Sequence, residues 1–372
     1  MRMKFSPVPL MIIAALIAGC GGDDSVESLN PTPPATSISP FRQVVVFGDS
    51  LSDAGTYNPT TADADPANDS ATGLIFSTKP GTTWAGYVAA NLGLTLAPDQ
   101  QVNFGIVGNG GEVIELAGLD YAEGGARILV DAPDNGVVSQ TIPGVGTVPV
   151  QTATARSIAT QITDYLAEHA AFDATQLVLI QGGANDFFGF LRQVAGNPAL
   201  AANAPTVISD NVTAMVTQVS RLKAAGAVHV LYANLPDLGR TPQFLGTPLE
   251  TLATTLAQNY NAAVASALNA QAVSIFDTYG LIAEVVAAPA NYGFSDVTTP
   301  ACTSETTPGD PTTLSALICS PSTLVAANAD ITHLFADGVH PTVRAHAIWG
   351  DQVTAELSSM TAGVTAHLSM QP

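Results

Sequence analysis

Four short, mostly apolar runs alternate with segments of helical period, and this alternation constrains the chain more than any other feature. Val44, Val45, Val46 and Phe47 run without a polar interruption up to Gly48, the pattern of a strand covered on both faces. Leu177 to Ile180, Val228 to Ala233 and Ala272 to Phe276 repeat it. Between them, Ile158, Ile162 and Leu166 fall at four-residue steps, and Val212, Met215, Val216, Val219 and Leu222 form a stripe that stops at Gly226. Leu252, Leu256, Tyr260, Val264 and Leu268 form a third stripe. Strand and helix in this order predict an α/β fold with a parallel sheet and helices on both faces. A further strand is expected near Val102 to Val107. Thr60 to Gly73, polar and rich in Asp, and Gly136 to Val150, rich in Gly, Val and Pro, read as surface excursions rather than separate domains.

A chain of 372 residues, 47 % apolar and 11 % charged, can bury a large core. Lys and Arg number 11 against 31 Asp and Glu, and the resulting charge of −20 repels phosphate backbones and argues against a nucleic-acid partner. It argues equally against a polybasic attachment to membrane surfaces.

The amino terminus has a character of its own. Arg2 and Lys4 precede an apolar stretch from Val8 to Ala18, too short to span a bilayer and suited to a secretory signal. Ile17, Ala18, Gly19 and Cys20 resemble the bacterial lipobox, which implies a lipoprotein signal peptide over residues 1–19 and a lipidated Cys20. Residues 20–40, rich in Gly, Asp, Ser, Thr and Pro, read as a flexible tether, so that the folded body covers 41–365. Gly21 after the cysteine implies, by the same resemblance, the outer membrane. The expected location is therefore the bacterial cell envelope, periplasmic or at the cell surface, with the membrane as a partner through the lipid. Cys302 and Cys319 remain, an even pair in an oxidising compartment. They are read as a disulfide worth roughly 3 kcal/mol, with two buried thiols as the alternative.

Four separated clusters carry chemistry. Gly48 to Ala54 follow the first buried strand and place Ser50 at a strand end, where ligand crevices of open parallel sheets lie. If the following residues turn into a helix, the Ser50 amide and hydroxyl sit in a positive backbone field. In Asp337-Gly338-Val339-His340 a carboxylate three residues before an imidazole can fix its tautomer and leave the other ring nitrogen free to take a serine proton. Pro341 suits the first position of a helix. Asn185, in Gly182 to Asp186, follows the strand Leu177 to Ile180 and offers a neutral donor suited to an oxyanion. Asp120 to Ala126 contains Gly124 and Gly125, where backbone can approach a ligand and offer its N–H.

In this order the four clusters resemble the blocks of the SGNH or GDSL hydrolase superfamily, over about residues 41 to 360. The resemblance implies a flavodoxin-like three-layer α/β/α fold with a central parallel sheet of about five strands. It implies Ser50 as nucleophile, His340 as general base, Asp337 as its orienting acid, and Gly125 and Asn185 as oxyanion donors beside the Ser50 amide. Asp120 stands where relatives usually have Asn. The activity implied is hydrolysis of acyl or lipid carboxylic esters through an acyl-enzyme, a chemistry that requires no metal or cofactor. Transfer of the acyl group to another alcohol, or a surface lipoprotein that only binds, are the alternative readings.

Overall fold

Strand β1 (Gln43–Phe47) lies parallel to β8 (Gln176–Ile180), which pairs with β9 (His229–Ala233), which pairs in turn with β10 (Ser274–Phe276). All three pairings are parallel. On the free side of β1 a single parallel bridge joins Val46 to Asp120, so the position of a fifth strand is held by a three-residue segment. The computed structural model from which these features are read describes residues 40–58, 74–142, 144–302 and 314–368. Cys20, the signal peptide and tether up to residue 39, and the polar excursion at 60–73 lie outside the described residues.

Because successive side chains of a strand point to opposite faces, the apolar runs feed two cores at once. Val45, Phe47, Val178, Ile180, Val230 and Tyr232 face one layer of helices: α2 (Ile158–His169), α3 (Ala184–Gly196), α4 (Ala204–Ala224) and α5 (Glu250–Leu268). Val44, Val46, Leu177, Leu179, Leu231 and Ala233 face the other: α1 (Trp84–Asn91), α6 (Thr278–Ala287) and α9 (Val343–Leu368). Each Val, Leu, Ile or Phe among them removed from water contributes about 1.5–3 kcal/mol. This is the three-layer α/β/α arrangement, and the three sequence stripes are the inward faces of α2, α4 and α5. In the second layer the indole rings of Trp84 and Trp349 stack with centroids 4.8 Å apart and planes 8° from parallel, and the Trp84 indole N–H donates to the Ser52 hydroxyl at 3.1 Å.

Two expectations are corrected. Val102 to Val107 does form strands, β3 (Gln100–Asn103) and β4 (Gly105–Val107), but outside the parallel sheet. They join β2 (Tyr57–Asn58), β5 (Gly110–Glu115), β6 (Val137–Ile142) and β7 (Gly146–Gln151) in a mostly antiparallel sheet of order β2-β3-β5-β4-β7-β6. The run is interrupted at Gly105, whose φ of +153° a side chain disfavours, and Gln100, Gln101 and Asn103 interleave with Val102; such a strand cannot be sandwiched between two apolar layers. Pro341, expected to open a helix, instead bridges back to Phe335, and α9 begins at Val343.

Strands β11 (Asp296–Pro300) and β12 (His333–Phe335) form a small parallel pair, and beside them stand the short helices α7 (Leu314–Leu317) and α8 (Ala329–Thr332). A disulfide joins Cys302 to Cys319, with Cα atoms 5.8 Å apart. Both half-cystines share a satellite core with Tyr57, Phe76, Val102 and Ala336.

Candidate active site

At the end of β1 the chain must turn sharply, and neighbouring elements fix how. The Gly48 N–H donates to Gln161 Oε1 at 2.9 Å, and Gln161 Nε2 donates back to the Gly48 carbonyl at 2.9 Å, so α2 grips the turn from below. A Cβ on Gly48 would stand 2.7 Å from the Gln181 carbonyl oxygen, which restricts the position to glycine. The Ser52 and Asp53 amides both donate to the Asp49 carbonyl, and the Leu51 amide donates to Asp49 Oδ1 at 3.1 Å. The turn does not continue into a helix, contrary to the sequence expectation. It leaves Ser50 8 % exposed, and its amide has no partner among the described residues.

The imidazole arrives from the turn after β12. Asp337 Oδ1 accepts the Val339 and His340 amides at 2.9 and 2.8 Å, which ties the carboxylate to the backbone of the residue it orients. Its other oxygen, Oδ2, lies 2.8 Å from His340 Nδ1 and accepts the Ala316 amide at 3.1 Å. His340 Nε2 lies 2.9 Å from Ser50 Oγ. An ionised carboxylate only accepts, so Nδ1 carries the ring proton and Nε2 is free to accept from the serine hydroxyl. Burial pushes the Asp337 carboxyl up, but the His340 ring and the hydrogen bonds outweigh it and hold the group below its ordinary value. The Phe76 ring packs against the imidazole, with centroids 5.1 Å apart.

The second and third clusters meet beside this pair. Gly124 is spoken for, because its N–H donates to Asp53 Oδ2 at 2.9 Å and a Cβ there would strike the Phe76 ring at 2.1 Å. Gly125 is exposed, takes a φ of +82°, and has an N–H without a partner among the described residues. Asn185 is the second residue of α3, after Gly183 at a φ of +110°. Its Nδ2 donates one hydrogen to the Ala126 carbonyl at 3.0 Å, and the other has no partner among the described residues. The Ser50 amide, the Gly125 amide and one Asn185 hydrogen are thus unengaged donors on adjoining segments, and the Glu123 N–H to Gly48 carbonyl bond at 3.2 Å ties the second segment to the first.

Asp120, where Asn is usual in the family it resembles, is fully buried and accepts the Ala54 and Ala122 amides at 2.8 and 2.9 Å. Two accepting oxygens suit that place. Sequence reasoning passed over the support behind these loops. Glu123 is buried and accepts from Gln100, Thr154 and the Arg156 guanidinium at 2.6 Å each, and Arg156 also pairs with Asp99 at 2.8 Å. His346 is a scaffold residue whose Nδ1 accepts the Trp84 amide at 3.1 Å, and burial lowers its pKa to about 3.

Asp49 sits under the serine, 1 % exposed, with Oδ2 lacking a partner among the described residues, and burial pushes its carboxyl up to about 7. The folded chain therefore holds a proton that the unfolded chain releases near its ordinary value of 3.8, and this group's contribution to stability falls as pH rises from there to about 7. Asp49→Asn is expected to raise the urea midpoint more at about pH 8 than at about pH 5. Equal gains at both would contradict the burial argument.

Comparison with known proteins adds the following. A family model described as GDSL-like Lipase/Acylhydrolase matches residues 44–353. GDSL esterase/lipase 6 of Arabidopsis thaliana is 27 % identical over 343 residues, 84 % of this chain and 86 % of that protein. Esterase EstA of Pseudomonas aeruginosa is 27 % identical over 369 residues, 94 % of this chain and 51 % of EstA. An uncharacterized protein from the trpE-trpG intergenic region of Pseudomonas putida is 28 % identical over 267 residues, 69 % of this chain. The chain thus spans about half of EstA and 39 % of the Pseudomonas putida protein. Among solved structures, Est24, a carbohydrate acetylesterase from Sinorhizobium meliloti, matches with 13 % identity and a TM-score of 0.39 over 86 % of this chain and 99 % of its own.

Proposed function

The chain belongs to the GDSL-like lipase/acylhydrolase family, and from that premise we propose that it is a serine hydrolase of carboxylic esters working through an acyl-enzyme on Ser50. The observation that carries the reading is the unbroken relay from Asp337 through His340 to Ser50, with contacts of 2.8 and 2.9 Å.

In that reaction Ser50 Oγ attacks the ester carbonyl while His340 Nε2 takes the hydroxyl proton. Asp337 stabilises the imidazolium so formed, and the oxyanion receives hydrogen bonds from the Ser50 and Gly125 amides and from Asn185. Collapse expels the alcohol with the proton from His340. Water, deprotonated by the same nitrogen, then attacks the acyl-serine and releases the acid, restoring the serine hydroxyl.

Asn185→Ala removes one oxyanion donor and a single hydrogen bond to Ala126. It is expected to lower kcat on p-nitrophenyl butyrate by roughly 10²- to 10³-fold while the chain stays folded. Turnover close to that of the unmodified protein would contradict the assignment of Asn185.

The amino-terminal motif extends the reading to location: signal peptidase would cut before Cys20, lipid on Cys20 would hold the enzyme in the cell envelope, and Gly21 favours the outer membrane. Intact-mass measurement of protein expressed in a Gram-negative host tests this. The expected result is a mature chain starting at Cys20 with added acyl mass, lost in Cys20→Ser; a mature chain without acyl mass would refute it.

A further inference from the structure

We propose that the groove between α3 and the segment 243–252 is an acyl-chain subsite that makes this enzyme prefer esters of medium and long fatty acids. The proposal rests on the ester hydrolase reading above and goes further by naming the acyl part of the substrate.

The groove has a volume of about 720 Å³ and is walled by Leu191, Val194, Ala195, Phe244, Leu249 and Leu252 among others. Arg192 is its one charged wall residue. The floor is apolar and tightly held, since Leu191, Val194 and Phe244 are all buried. A second hollow, about 660 Å³, is walled by Glu115, Asp131, Asp164 and Glu168 around Arg156 and is lined mainly by charged and polar groups.

Two observations connect the groove to the segments that carry Asn185 and His340. Gln243 lines it, and the Gln243 amide donates at 2.9 Å to the carbonyl of Gly338, which lies in the turn between Asp337 and His340. Phe188, one helical turn beyond Asn185, stacks on Phe244 with ring centroids 5.7 Å apart. One wall of the groove is thus the continuation of the helix that presents Asn185, and the other is bonded to the turn that presents His340.

Dimensions then select the occupant. Leu191 and Val194 follow Asn185 by six and nine residues on α3, or roughly 9 and 14 Å along the axis. An extended alkyl chain with bonds near 1.5 Å advances about 1.3 Å per carbon. Leu191 and Val194 also lie about a third and half a turn around the helix from Asn185, so acyl chains of up to about six carbons end short of this floor and chains of about ten carbons or more are needed to lie along it. Each methylene that leaves water there should raise kcat/KM by up to about fourfold.

The test compares kcat/KM for p-nitrophenyl butyrate and laurate, each below its aggregation concentration, in the full chain and in two variants of the exposed wall residue Ala195. Ala195→Trp fills the groove and Ala195→Glu places a charge in it, and both positions of the new side chain lie outside the core. The expected result is a laurate-to-butyrate ratio well above one that falls by about tenfold or more in both variants, with butyrate hydrolysis changed by less than about twofold. A ratio that stays within about twofold of the unmodified protein in either variant overturns the proposal. Cleavage of neither ester by the folded, unmodified chain would instead remove the ester hydrolase reading, and the subsite with it.

Discussion

Ser50→Ala is expected to lower ester turnover by roughly 10⁶-fold, the scale on which loss of a nucleophilic serine acts when its base is intact. Ser52, the nearest hydroxyl in the chain, is fully buried and accepts the Trp84 indole N–H, so it cannot reach a carbonyl at the surface. The variant loses only one hydroxyl and its contact with His340, and it should fold with near-unchanged circular dichroism. A fluorophosphonate probe reads the same event covalently, because it reacts with a serine activated by its base. Labelling that disappears in the variant is the expected outcome, and equal labelling of both proteins would remove Ser50 from its assigned role.

Asp337→Asn is expected to cost about 10⁴-fold in kcat, or roughly 5–6 kcal/mol in transition-state free energy. The cost follows from where the two carboxylate oxygens point. If Oδ1 keeps accepting the Val339 and His340 amides, the new amide nitrogen replaces Oδ2 and faces two donors, the His340 Nδ1–H and the Ala316 N–H. The imidazole can relieve the clash only by moving its proton to Nε2, and it then cannot accept from Ser50. Fold and substrate affinity should survive, so the loss should fall on kcat rather than KM. A kcat within about tenfold of the unmodified protein would show that the carboxylate charge is not needed.

The parallel sheet was legible because its strands are buried on both faces, so Val44 to Phe47 and Leu177 to Ile180 stand out as unbroken apolar runs. The relay was legible because Ser50, Asp337 and His340 are side chains with distinctive neighbours. Features made by backbone were not. The Ala316 amide that helps seat Asp337 would serve equally well in almost any residue, so the sequence carries no mark of it. The choice between Gly124 and Gly125 depends on Asp53 and Phe76, which lie far off in the chain. The second sheet escaped notice because β5 and β6 are largely exposed and β4 has only three residues, too few to establish a period. The groove beside α3 has walls from two segments some fifty residues apart, and only their packing reveals that they face each other.

The stacked indoles carry a practical consequence. Trp84 and Trp349 are the only two tryptophans in the sequence, so nearly all intrinsic emission excited near the red edge of protein absorption arises from one spot in the seam between α1 and α9. That spot is hydrogen-bonded to Ser52, two residues from Ser50. The protein thus carries its own optical reporter beside the serine turn. Acylation or inhibitor capture that strains this turn is expected to change the emission intensity of the unlabelled protein.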